Sequence, residues 1–251
     1  MSHRVFSLQE LSDYLHLEAG DIRLLVKRHE IPHRQQGNEV VFPRNEIDRW
    51  ASQRLLGMAD KEINAFHKSS TSKVHDLSER HALLPELMRP HFIDNSLEGK
   101  TKAKIIRNMV HLATETGMVW DEEGLLSGVE EREELCSTAM ACGAALLHPP
   151  HHEPYMFEDS FIVLGRAQQP ILFGAPGGVY TRFFFLICAQ EDRIHLHLLA
   201  RISMICRETQ ILDQLLDAAD AGEMYDLLLQ AETEMMKAHS PVYPRRDSNE
   251  M

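Results

Sequence analysis

Apolar positions in the first sixty residues recur at helical spacing in three short blocks. Leu8, Leu11, Tyr14 and Leu15 form one face of a helix that Ser7 would cap. Ile22, Leu25 and Val26 form the stripe of a second helix over about 19–29, with Arg23, Lys27 and Arg28 lying off it. Ile47, Trp50 and Leu55 belong to a third over about 44–56. Pro32 stops the second helix, and the run from Ile31 to Pro43 predicts a hairpin turning at Gly37-Asn38. Beyond residue 80, Ile105, Ile106, Met109, Val110 and Leu112 predict a helix over about 101–116, and an acidic helix follows at about 121–134. The pattern then changes to short, wholly apolar runs, Gly143–Leu147, Phe161–Leu164, Ile171–Phe173 and Arg182–Ala189, which read as strands covered on both faces. Helices at about 194–207, 208–218 and 221–232 close the pattern, so an α/β domain with a mixed sheet is expected.

Between the two patterned regions lie Gly57-Met-Ala-Asp60 and the polar Lys68-Ser-Ser-Thr-Ser-Lys73, a linker composition. The expected organisation is a helical unit at 1–57, a linker at 58–80, an α/β unit at 81–235 and a flexible tail at 236–251 with Pro241, Pro244 and paired arginines. Charge divides at the same place. Residues 1–57 hold eight basic and eight acidic residues, so the whole net charge of −12 belongs to the remainder. That acidity excludes a chain whose entire surface grips nucleic acid and leaves the first unit as the candidate for such contact. With 43% hydrophobic residues the chain is globular, and its longest apolar run, Phe183–Ala189, is far short of the ~20 residues of a membrane helix. No membrane contact and a cytoplasmic location are expected. Cys136, Cys142, Cys188 and Cys206 lack CxxC spacing and read as reduced, buried thiols.

Histidine supplies the candidate chemistry, with fifteen in the chain. The densest cluster, Leu147-His-Pro-Pro-His-His-Glu153, ends an apolar strand, where a rigid scaffold presents reactive groups. On that strand Ala144, Leu146 and His148 share one face. Downstream, Asp192-Arg-Ile-His-Leu-His197 opens a helix, and a two-residue separation turns the side chains about 200° apart. Only one of His195 and His197 can therefore reach a common site with His148. One use of such a set is phosphoryl transfer, which needs a nucleophilic imidazole nitrogen and donors around the phosphoryl oxygens. A second is zinc binding by His148, His151 or His152, Glu153 and His195, although no closed structural zinc motif is matched. A strand-end surface histidine without chemistry is a third, and His151 and His152 fit solvated loop positions. Arg132, among Glu130, Glu131, Glu133 and Glu134, reads either as a site cation or as a surface charge.

Two resemblances narrow these readings. Phe6-Ser-Leu-Gln-Glu-Leu-Ser-Asp-Tyr-Leu15, Ile31-Pro-His-Arg34 and Val41-Phe-Pro-Arg-Asn-Glu-Ile-Asp-Arg-Trp50 resemble the excisionase-like, MerR-type winged helix-turn-helix family. The resemblance implies DNA contact by the second helix and the wing, through Arg23, Lys27, Arg28, Arg34 and Gln36, with a homodimer for useful affinity. A small module that docks onto protein is the alternative.

Residues from Glu131 to His148, with Arg132 sixteen positions before His148, resemble the active-site region of the type-2 IIA domain of the phosphotransferase system, in its fructose, mannitol and nitrogen-regulatory forms. The matching frame is R-E…T…G-x-A-x-x-H, and His195 falls forty-seven positions further on, where that family has a helix-opening histidine. The resemblance covers about 82–232 and implies His148 as phospho-acceptor, Arg132 and His195 as its helpers, and no metal or organic cofactor. It also implies a phosphohistidine carrier fed by the phosphocarrier HPr or its nitrogen-branch counterpart, with the phosphoryl state coupled to DNA binding or to another regulatory protein. Leu146-Leu-His-Pro-Pro150 departs from the family's Ile/Val-Pro-His-Gly-Lys. A non-phosphorylated IIA-like sensor is thus the alternative function, and a histidine-based metal protein a further one.

Overall fold

A computed structural model describes residues 5–15, 17–37, 39–58, 62–63, 82–150, 155–190 and 192–239. The first unit begins with β1 (Val5–Phe6), α1 (Leu8–Leu15) and α2 (Ala19–Lys27). Ser7 opens α1 in a reciprocal cap: its Oγ accepts from the Glu10 amide at 3.3 Å, and Glu10 Oε2 accepts from the Ser7 amide at 2.7 Å. Helix α2 ends two residues before the expected boundary, because His29 takes a left-handed φ of 54° that cannot continue a helix. Strands β2 (Arg34–Gln36) and β3 (Glu39–Pro43) form the expected hairpin, with Gly37 at φ 63°, and β1 joins them in the order β1-β3-β2. Helix α3 (Arg44–Gly57) follows at once. Its Trp50 indole donates to the Glu30 carbonyl at 2.6 Å and fixes α3 against the end of α2.

Most of the expected linker, 59–61 and 64–80, lies outside the described residues, although Ile63 is buried in the common core. The second unit starts with α4 (Leu84–Leu87) and a 3-10 turn at Pro90–Phe92, then β4 (Ile93–Leu97), α5 (Lys102–Glu115) and α6 (Glu122–Leu135). Strands β5 (Ala144–Leu147), β6 (Phe161–Ile171) and β7 (Thr181–Cys188) precede α7 (Asp192–Glu208), α8 (Ile211–Asp217) and α9 (Ala221–His239). The sheet order is β4-β6-β7-β5. β4 runs parallel to β6 and β5 parallel to β7, while β6 and β7 are antiparallel. Alternation divides the core: Ala145, Leu147, Val163 and Leu186 face α5 and α6, whereas Ala144, Leu146, Ile162 and Phe185 face α7–α9. Both faces are covered, as wholly apolar strands require.

Three details differ from the sequence reading. The runs Phe161–Leu164 and Ile171–Phe173 are not two strands; the first and Ile171 belong to the single long β6, whose pairing with β7 is irregular between Arg166 and Ile171. Helix α9 continues to His239, so 236–239 are helical and Met236 packs on the core, because the apolar spacing persists through Met235 and Met236. Cys136 and Cys142 are half-buried, while Cys188 and Cys206 are buried, and all four are free thiols.

A buried ion pair joins the helices of one face. Arg201 on α7 and Glu232 on α9 meet at 3.2 Å with no solvent exposure, and Glu232 also accepts from the amides of Leu83 and Leu84 at 2.9 and 3.0 Å. The carboxylate thereby satisfies the orphan donors that open α4.

Candidate functional site

Helix α6 buries Leu125, Val129, Arg132 and Glu133, a helical i, i+4, i+7, i+8 row, so its last turn carries two ionised groups inward. Arg132 is 1% exposed. The surface-charge reading of this residue is therefore incorrect: the row turns it inward while its acidic neighbours Glu131 and Glu134 face solvent. Glu133 is held by Lys102 at 2.9 Å and by the Thr138 amide and hydroxyl, the latter at 2.6 Å. Those bonds anchor the turn between α6 and β5. Gly128 completes the fit, since a Cβ there would lie 3.3 Å from Cβ of Pro149, the residue after His148.

His148 emerges from β5 on the face of Leu146 and is 1% exposed, so it is not a surface histidine. Its Nδ1 lies 2.8 Å from the Leu146 carbonyl, and Arg132 Nε donates to its Nε2 at 3.1 Å. A guanidinium N–H can only donate. Nε2 therefore presents its lone pair, and Nδ1 carries the proton that bonds to Leu146. Arg132 Nη1 donates to the Cys136 carbonyl at 3.0 Å and contacts its sulfur at 3.3 Å, while Nη2 is buried without a hydrogen-bond partner.

His195, in the first turn of α7, stacks obliquely on His148 with ring centroids 4.6 Å apart and is 2% exposed. His197 is buried too, but does not line the cavity that His148 and His195 share. The cavity measures about 40 Å³. Arg132, His148 and His195 line one side of it, and Asp48, Arg49 and Ser52 of α3 line the other. His151, His152 and Glu153 lie outside the described residues. Among the described residues no group of three or more His, Cys, Asp or Glu side chains is placed to hold a metal ion.

Asp48 is the group that sequence reasoning missed. Its carboxyl pKa is pushed up to about 6, chiefly by burial, against the opposing effects of the Tyr14 hydroxyl bond and the Arg44 charge. One of its oxygens, Oδ1, is buried without a hydrogen-bond partner. An aspartate one residue after Ile47 gave no signal of burial: its partners Tyr14 and Arg44 belong to its own unit, and it borders the cavity that Arg132, His148 and His195 of the second unit line.

Of the expected DNA-contacting residues, Arg23, Lys27 and Arg28 are exposed on or just beyond α2, and Arg34 and Gln36 are exposed on β2. Arg34 forms an ion pair with Glu46.

A family model described as "Phosphoenolpyruvate-dependent sugar phosphotransferase system, EIIA 2" matches residues 86–231. The chain belongs to that family. A helix-turn-helix domain model matches residues 5–55, so an EIIA 2 unit follows a helix-turn-helix unit in one chain. The nitrogen regulatory protein of Bradyrhizobium diazoefficiens is 29% identical over 148 residues, which cover 58% of this chain and 94% of that protein. The fructose-specific EIIABC component of Bacillus subtilis is 27% identical over 149 residues, and the match spans only 23% of that protein's length. Nitrogen regulatory protein IIA-Ntr from Neisseria meningitidis shares the fold at a TM-score of 0.52 and 21% identity, over 58% of this chain and 99% of that one. IIA mannitol from Escherichia coli does so at 0.50 and 18%, over 56% and 98%. The EIIA 2 unit thus has the expected mixed sheet with helices. Among the described residues no helix is long and apolar enough to cross a membrane.

Proposed function

We propose that His148 accepts a phosphoryl group from a phosphohistidine donor, HPr or a nitrogen-branch counterpart, and that its phosphoryl state regulates the helix-turn-helix unit. The observation that carries this reading is the geometry at His148, where Nδ1 is pinned by a carbonyl and Nε2 is left as a lone pair facing Arg132. In the step, the Nε2 lone pair attacks phosphorus, a new P–N bond forms, and the P–N bond to the donor imidazole breaks with its electron pair returning to the donor nitrogen. Arg132 then moves from Nε2 to the phosphoryl oxygens, where Nη2 gains the partner it lacks. His195 supplies a further donor at ring-stacking distance. This charge stabilisation is the main service a protein gives to phosphoryl transfer.

The helix-turn-helix unit would contact DNA with Arg23, Lys27, Arg28, Arg34 and Gln36, as a homodimer, in the cytoplasm. Exposure of these side chains supports that reading, and the net neutrality of residues 1–57 makes the expected non-specific affinity low. The test is incubation of the full chain with phosphoenolpyruvate, enzyme I and HPr or its nitrogen-branch counterpart. Acid-labile label at His148, absent in His148→Ala, supports the proposal. No label from either donor contradicts it and leaves a IIA-like module that senses by docking.

A further inference from the structure

The side of the EIIA 2 unit that any phosphoryl donor must approach is occupied by the chain's own helix-turn-helix unit. Helix α3 lays Asp48, Arg49 and Ser52 across the cavity that Arg132, His148 and His195 line. The seat is fastened on both sides. Gln53 Nε2 contacts Cys136 Sγ at 3.0 Å beside the site, and Arg207 of α7 donates to the Met58 carbonyl at 2.9 Å just after the end of α3. Leu55 is 1% exposed and belongs to the same apolar cluster as Leu196 and Leu199 of α7.

The remaining space is about 40 Å³, which at roughly 10–15 Å³ of probe-occupied volume per water holds about three waters. A donor imidazole carrying a phosphoryl group does not fit there, and in-line transfer needs the donor nitrogen and His148 Nε2 on either side of one phosphorus. With α3 seated, His148 is therefore beyond the reach of a protein donor. Transfer also changes what α3 meets. A phosphoryl group brings more than one negative charge and four heavy atoms into the cavity. It then faces the buried Asp48, whose Oδ1 has no compensating donor. Of the other α3 groups that line the cavity, Asn45 and Arg49 are exposed to solvent, which screens the Arg49 charge, and Ser52 is uncharged, so the buried carboxylate is the charge of α3 that the phosphoryl group meets least screened.

We infer that the helix-turn-helix unit is a releasable cap that competes, through α3, with the phosphoryl donor for the His148 face, and that phosphorylation of His148 prevents the cap from reseating. This rests on His148 being the acceptor. Because Arg23, Lys27 and Arg28 and the side chains of β2 remain exposed with the cap seated, the phosphoryl state alters the freedom and spacing of the DNA-contacting unit rather than uncovering its basic residues.

A reversible lock tests the inference in the full chain. Gln53→Cys in a Cys142→Ser background is bridged to Cys136 by a short bis-methanethiosulfonate spacer, and labelling from phosphoenolpyruvate, enzyme I and phosphocarrier is followed before and after reduction. The same background with Gln53 retained and a monofunctional reagent on Cys136 controls for the adduct. The locked chain is expected to label at least tenfold more slowly than the reduced one, and prior phosphorylation to slow bridging by a similar factor. Equal labelling in the locked and reduced states overturns the cap while leaving His148 as acceptor. Faster labelling in the locked state also overturns it, and makes α3 a working part of the site. No label in either state, with wild type equally unlabelled, removes the acceptor reading and the cap together.

Discussion

Arg132 Nε donates to Nε2 of His148 at 3.1 Å while Nη2 of the same guanidinium is buried without a partner. One edge of the cation donates to the lone pair of His148 Nε2, and the other carries a donor without a partner. Lysine cannot do both, because its ammonium is a single point without the planar fork. Arg132→Lys is expected to slow labelling of His148 by about 10²-fold, within the range for losing one preorganised donor at a developing charge. Initial rates with saturating phosphocarrier measure it, and a change below a few-fold would show that Arg132 serves only the packing of α6.

Asp48 predicts a specific pH dependence. Its pKa is about 6 in the folded chain against 3.8 as the reference value, so between those limits the folded state binds more protons than the unfolded one. The stability contributed by the protonated carboxyl is present at low pH and is lost as pH rises from about 4 to about 6, by about 3 kcal/mol in all. Asp48→Asn removes this component. Urea unfolding of both proteins across pH 4–7 is expected to give curves that meet near pH 4 and separate above it, with the asparagine form the more stable.

Glu232 joins α9 to α7 and to the start of α4 in one buried group. Glu232→Ala leaves Arg201 as a buried charge without its carboxylate and orphans two amides, and should cost about 3–5 kcal/mol. Replacing both residues, Arg201→Met with Glu232→Leu, should recover a large part of that loss. Chemical denaturation of the three proteins checks the order, and a double variant no better than the single one would locate the cost in the two amides.

Binding of DNA makes an independent prediction. Arg23→Ala and Lys27→Ala should each weaken binding and lower the slope of log affinity against log salt by about 1 for every phosphate that the variant no longer neutralises. Titrations at several salt concentrations read it, and an unchanged slope in both variants would assign α2 another partner.

Much of this architecture is written in local pattern. The helix α5 follows from its periodicity and the strands β5 and β7 from their apolar runs, while Arg132, His148 and His195, which line one cavity, stand out only through the family resemblance and its intervals of sixteen and forty-seven residues. Strand β4 is not legible, since Ile93-Asp-Asn-Ser-Leu97 carries a polar centre and is held by its parallel pairing with β6. The inward turn of Arg132 is hidden by the acidic residues around it, although the row Leu125, Val129, Arg132, Glu133 marks it. Asp48 is hidden for a different reason. It faces a cavity shared by two units of unrelated pattern, and no local spacing encodes a contact between them.

Phosphoryl acceptance turns on one atom, Nε2 of His148. Its direct test is ³¹P and ¹⁵N NMR of the full chain after treatment with phosphoenolpyruvate, enzyme I and phosphocarrier. A single phosphohistidine resonance is expected, with phosphorus on Nε2, Nδ1 still protonated against the Leu146 carbonyl, and the signal lost in His148→Ala. Phosphorus on Nδ1, on His195, or on neither histidine would contradict it.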